Sequence, residues 1–200
     1  MPNAEGTKKK VIVYRRDSQT VWRGVAGLQV FTSPISFLAR AMGGDCGRLV
    51  VFLEWSTRLE KEALLELCTV LRASPVSRDL TLGCILHEPH REVLAGLAKA
   101  EVAWVWFLSA GQPILPILLM SPESVDGKWL RLEKVLREIC PYLNYLPVEG
   151  GRGMCVCGAY RNRMVLGQGT LRALCRVARH NNCPYFLDPH PADTGAGRRA

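Results

Sequence analysis

Apolar residues along this chain come in two rhythms. Val11-Ile12-Val13-Tyr14, Leu28-Gln29-Val30-Phe31 and Leu49-Val50-Val51-Phe52-Leu53 are short β-branched runs bounded by charged or glycine-containing segments, and they read as strands. Leu80 to Leu86 and Val102 to Leu108 are almost continuously apolar, as strands covered on both faces are. The segments between them keep a helical spacing. Ser33-Pro34 supplies a cap and a first-turn proline ahead of Ile35, Phe37 and Leu38, and the helix stops before Gly43-Gly44. Thr57 to Ala73 predicts a longer helix with Leu59, Ala63, Leu67, Val70 and Leu71 on one face and Ser74-Pro75 as its end. His90 to Ala100 predicts another, with Val93, Leu94 and Leu97 turned inward.

Strands that alternate with helices in this way predict an α/β protein, a doubly wound, mostly parallel five-stranded sheet with a small C-terminal cysteine-rich metal module. Ile114 to Met120 is apolar, but Pro113 and Pro116 interrupt it, which predicts an edge strand or an extended crossing segment. Glu123 to Ile139 reads as an amphipathic helix through Val125, Trp129, Leu132, Val135, Leu136 and Ile139 that delivers Cys140 at its end. The expected organisation is therefore a basic disordered tail over 1–10, the α/β domain over 11–120, a helix and cysteine module over 121–187, and a disordered tail over 188–200.

The order and spacing of Glu62-Ala63-Leu64-Leu65 to Arg72, then Leu80 to Leu86, then Arg91-Glu92-Val93-Leu94-Ala95-Gly96-Leu97 leading into Val102 to Phe107, resemble a response-regulator receiver domain. Phosphotransfer in such domains uses acidic residues to hold Mg²⁺, an aspartate nucleophile, a Thr or Ser, and a Lys, each at a strand end. Here the strand ends are Tyr14-Arg15-Arg16-Asp17, Leu53-Glu54-Trp55, His87-Glu88 and Ser109-Ala110. The resemblance thus implies a degenerate, non-phosphorylatable receiver whose former pocket is represented by Asp17, Glu54, His87 and Ser109. No full helix fits between Asp17 and Val30, where a receiver has one. Glu54, His87 and Glu88 converge on the carboxyl edge of the expected sheet, where α/β proteins usually bind ligands. Without a glycine-rich phosphate loop, a nucleophile elbow or a His-Glu-x-x-His pattern, catalysis is not expected there.

Eight cysteines change the picture further down the chain. Cys46, Cys68 and Cys84 lie singly in apolar surroundings and read as small core hydrophobes. The other five, Cys140, Cys155, Cys157, Cys175 and Cys183, crowd into the C-terminal quarter. A chain of this size with no export signal at Met1 to Lys10 needs no disulfide staples, so thiols or metal ligands are expected. Soft sulfur donors select zinc or iron–sulfur centres, and four are required. Cys155 and Cys157 share one face of an extended segment, so one ligates while the other packs or stands in reserve. Cys140-Pro141, Cys157-Gly158-Ala159 with Met164, Cys175 and Cys183-Pro184 resemble Cys-Pro-bracketed segments of hypothetical and signalling proteins from anaerobic bacteria. That resemblance makes Cys140, Cys157, Cys175 and Cys183 the ligand set and Cys155 the alternate. The absence of paired Cys-x-x-Cys knuckles and the presence of Cys-Pro endings lean toward an iron–sulfur cluster. Structural zinc, or thiols that pack or form redox disulfides, remain open, and His180 is a further candidate donor.

Hydrophobic residues make up 48% and charged residues 22% of the chain, which points to a folded body and not to a disordered one. No apolar run is long enough for a membrane helix, and the expected location is the cytoplasm. The net charge of +8 is concentrated toward the C-terminus: Gly151 to Phe186 holds Arg152, Arg161, Arg163, Arg172, Arg176 and Arg179 and no Asp or Glu. Thr170 to His180 reads as a helix with Leu171, Leu174, Cys175 and Ala178 inside and Arg172, Arg176 and Arg179 as an exposed stripe. Two functions follow. One is a regulatory or sensor protein that meets a protein partner through the α/β domain and carries the metal site; the other is a nucleic-acid-binding protein that uses the arginine stripe.

Overall fold

The β-branched runs become one sheet because their side chains are apolar on both faces. β1 (Val11–Tyr14) and β3 (Arg48–Phe52) are buried along their whole length. In the computed structural model, which describes residues 10–17, 22, 24–120, 122, 129–148, 152–161 and 163–190, they pair parallel with each other and with β2 (Leu28–Phe31). β4 (Thr81–Leu86) and β5 (Trp104–Phe107) continue the parallel array, and β6 (Leu130–Arg131) closes it antiparallel, giving the order β2-β1-β3-β4-β5-β6. The protein is therefore α/β with a six-stranded, mostly parallel sheet, one strand more than the sequence predicts. β6 is two residues long and falls inside the segment read as a helix, so no periodicity could reveal it.

Helices α1 (Pro34–Met42) and α2 (Arg58–Ala73) begin where the cap residues predict. Ser33 Oγ accepts from Ser36 N at 3.4 Å and Thr57 Oγ1 from Glu60 N at 3.2 Å. The Glu60 carboxylate reaches back to Ser56 N at 2.7 Å, a reciprocal arrangement like a capping box. The inward stripe of α2 is Leu64, Leu67, Cys68 and Leu71, rotated from the expected face; Leu59 is 77% exposed. In α3 (Arg91–Lys99) Val93, Leu94 and Leu97 are buried as expected.

The run after β5 corrects a further expectation. Ile114–Leu119 is a helix, α4, and not an edge strand or extended crossing. Pro113 caps it, and Pro116 falls within its first turn, where a missing N–H breaks no intrahelical bond. Its far end is closed by the buried Arg48, whose guanidinium donates to the carbonyls of Leu118 and Met120. Of the helix expected over 123–139, only α5 (Leu132–Glu138) is helical, and 123–128 lie outside the described residues. Trp129 reaches the sheet at Gly83. A Cβ on that glycine would meet the indole at 2.7 Å, so only glycine lets the ring lie against β4.

The described residues divide into two compact units, with breaks at Glu88/Pro89, Ala95/Gly96 and Leu132/Glu133. The first holds the sheet. The second joins 89–95 to the C-terminal region and contains a second, antiparallel sheet in the order β7-β8-β9, formed by Leu143–Val148, Arg152–Cys157 and Met164–Val165. The expected tails, 1–10 and 188–200, lie outside the described residues except for Lys10 and 188–190. No helix among the described residues is long and apolar enough to cross a membrane.

Candidate functional site

Four cysteines from four separate elements of the second unit line one cavity of about 250 Å³. Cys140 follows α5. Cys157 ends β8, Cys175 ends a π-helical turn at Leu171–Cys175, and Cys183 precedes the last helical turn, α6 (Pro184–Leu187). Backbone bonds tie these elements together: Cys140 N donates to Cys175 O at 2.8 Å, and Gly158 N to Tyr142 O at 2.7 Å. Gly158 has no room for a side chain, because a Cβ there would lie 2.6 Å from Asn144 Nδ2 and 3.0 Å from Tyr142 O. The rest of the lining is mainly apolar, with Tyr142, Ala159, Met164, Leu166, Leu174 and Phe186, while Thr170, Pro184 and Tyr185 are exposed.

Two of the thiols in this cavity, Cys140 and Cys175, are biased toward their neutral form. Burial raises the Cys175 thiol from the ordinary 9.0 to about 12, and the nearby sulfurs of Cys140, Cys157 and Cys183 add to the rise. Burial also lifts Cys140, an effect partly offset by the Tyr142 backbone N–H and by the charge of Arg91. Among the described residues, no three His, Cys, Asp or Glu side chains are grouped as metal ligands. None of the eight cysteines is in a disulfide.

His180 is 5% exposed and also lines the cavity. Its Nδ1 is 2.9 Å from Val177 O and 3.1 Å from Glu138 O. Two carbonyl neighbours make Nδ1 the protonated nitrogen, so the neutral ring carries its lone pair on Nε2. Cys155, two residues before Cys157 on β8, is half-buried and does not line the cavity. The three cysteines outside the unit behave as core residues to different degrees. Cys68 and Cys84 are fully buried with their sulfurs 3.8 Å apart, and Cys46 is half-buried near Ala41 O.

The second candidate region is the carboxyl edge of the large sheet. A smaller cavity of about 150 Å³ there is lined by Tyr14, Arg16, Glu54 and Glu60 among others. Its carboxylates are already engaged by cations. Arg15 grips Glu54 with a two-pronged fork at 3.0 and 3.3 Å while lying over the Phe52 ring, His87 Nε2 adds a contact to Glu54 at 3.4 Å, and Arg16 meets Glu60 at 2.5 Å. Of the four residues expected in a degenerate phosphorylation pocket, Glu54 alone lines this cavity; His87 touches the Glu54 carboxylate, and His87, Asp17 and Ser109 are not part of the cavity wall. The Ser109 N–H is bound to Gln112 Oε1 at 3.2 Å.

The predicted arginine stripe needs correction. Thr170 to His180 is not one helix: a three-residue turn at Gln168–Thr170 and the π turn end at Arg176, Val177 is extended, and Ala178–Asn182 is 3-10. Arg172 and Arg179 are exposed, but the break turns Arg176 inward, where its Nη2 donates to Tyr145 Oη at 3.3 Å. Tyr145 in turn donates to Pro89 O at 3.0 Å and packs on His90 at 3.9 Å between ring centres. Sequence reasoning missed Tyr145 and also Arg91, whose Nη1 donates to Leu136 O at 2.8 Å and Ile139 O at 2.9 Å, just ahead of Cys140. The only sequence signal for Arg91 was a basic residue at the start of a helix. No protein-family model matches the chain, and no curated protein matches it.

Proposed function

We propose that this protein is a non-catalytic regulator or sensor whose C-terminal unit holds an iron–sulfur cluster on Cys140, Cys157, Cys175 and Cys183. The observation that carries this reading is the convergence of those four thiols, from four elements, on a single largely apolar cavity. The volume favours a cluster over zinc. Four sulfurs about 2.3 Å from a single Zn²⁺ would close most of a space this size, whereas a cluster brings inorganic atoms of its own to fill it. The raised thiol of Cys175 agrees with a site that empties its protons only when a metal replaces them, so that metal binding and folding of the unit are linked. Cys155 remains the alternate ligand.

On this reading the α/β unit is a receiver relative that has ceased to take phosphate and meets a protein partner instead. Its support is the strand order, which reverses beside β1 as in doubly wound folds of the flavodoxin type, and the capture of Glu54 and Glu60 by arginines where a dication would have to bind. Nucleic acid is not carried as a second reading, because one of the three arginines on which it stood is bound to Tyr145.

Anaerobic purification followed by a visible absorption spectrum and metal analysis tests the site, on the wild type and on Cys140→Ala and Cys183→Ala. Brown protein with broad absorption near ~400 nm, bleached by either substitution, is the expected result. Colourless protein with stoichiometric zinc would replace the cluster by a structural ion, and metal-free protein would end the proposal.

A further inference from the structure

Arg91 belongs in sequence to the α/β body, yet its hydrogen bonds lie in the cysteine unit. It is the first residue of α3, where a positive charge opposes the helix dipole, so its own helix gains nothing from it. Its Nη1 instead donates to Leu136 O and Ile139 O at the carboxyl end of α5. The carbonyls at a helix end lack intrahelical partners and carry the negative end of the dipole, so a guanidinium satisfies them on both counts. The next residue is Cys140, whose own N–H is fixed to Cys175 O at 2.8 Å. The positive charge of Arg91 also favours the thiolate of Cys140.

We propose that Arg91 is a positioning residue of the metal site: it pins the end of α5 so that Cys140 faces the cavity, and it supplies positive charge beside a centre made net negative by its thiolates. The proposal rests on the cysteine cavity holding a metal. Residues that orient ligands from behind in this way typically change metal affinity ~10–100-fold when replaced.

The test compares wild type, Arg91→Gln, Arg91→Lys and the exposed-residue control Arg172→Gln, each purified anaerobically. Three quantities are read: metal content, the rate of metal release to bipyridyl or EDTA, and, for coloured protein, the midpoint potential. Arg91→Gln is expected to release metal ~10-fold or more faster and to shift the potential to more negative values. Arg91→Lys keeps the charge but lacks the planar fork, so it should recover most of the potential and only part of the retention. The control should match wild type. Arg91→Gln indistinguishable from wild type in metal content, release rate and potential would overturn the role of Arg91 while leaving the metal site standing. Metal-free wild type would overturn the site and Arg91 with it. Should Arg91→Gln not fold, unchanged retention in Arg91→Lys would overturn the positioning role.

Discussion

Cys68 and Cys84 are completely buried, and Cys140, Cys157 and Cys175 are nearly so at 8% exposure. Burial therefore does not separate the two groups; what lies beside the sulfur does. Cys68 and Cys84 face each other at 3.8 Å between α2 and β4 in a tightly filled interior, with burial holding the Cys84 thiol well above its ordinary range. The other set opens on a space many times the ~10–15 Å³ that one water requires. Thiols in a filled core are packing, whereas four thiols around a common space have room to share a ligand.

The strongest way to break this comparison is to remove one sulfur from each set. If the proposed site holds a metal, Cys175→Ala should lose it altogether, while Cys84→Ala should keep it and cost only about 1 kcal/mol of stability, as small core truncations do. Metal analysis and a denaturation curve decide it, and equal metal content in both variants would erase the distinction. A second contrast adds atoms instead of removing them. Gly83→Ala forces a methyl into the Trp129 ring and should cost ~2–3 kcal/mol, because backbone and indole have nowhere to go. Ala159→Val, which adds methyls beside the cavity, should cost less than ~1 kcal/mol and act instead on metal loading.

A last contrast is in pH. The folded, metal-free protein holds the Cys175 thiol at about 12 against an ordinary 9.0, so the unfolded chain gives up that proton first. The group's contribution to stability is complete below pH 9, falls as the pH rises through the interval, and is lost above about 12. Urea midpoints of the metal-free protein should decline from pH 9 upward more steeply in wild type than in Cys175→Ala.

The five parallel strands of the large sheet were legible because apolar runs with sharp polar borders mark them, and Ser33 and Thr57 marked their helices by capping chemistry. α4 was not legible, since two prolines argue against a strand without announcing that both fall where a helix tolerates them. The small sheet was hidden for another reason. Among the described side chains of β7 and β8 only Leu143, Val156 and Cys157 are buried, so alternation is faint. In the cysteine region, the local density of cysteines marked the stretch, but spacing left Cys155 and Cys157 undecided; the resemblance to Cys-Pro-bracketed segments singled out the four that line the cavity. It could not find Arg91 or Tyr145, whose bonds reach 45 to 56 residues along the chain to partners that are mostly backbone carbonyls and so leave no compositional trace. Nor could it foresee the π turn that draws Arg176 away from Arg172 and Arg179.

The assignment of 89–95 to the cysteine unit bears on how such a protein can be inherited. The Pro89 carbonyl, the His90 ring and the Arg91 guanidinium are encoded in the middle of the sheet unit's own stretch of sequence, before β5. A gene fragment covering 133–200 would carry every cysteine of the cavity but leave behind the carbonyl that receives Tyr145 and the cation that closes α5. Recombination at residue 132 would therefore transplant the thiols without their supports. The cysteine unit is not a cassette that can be appended to other proteins by a single crossover, and its history is bound to that of the strands and helix that interrupt it.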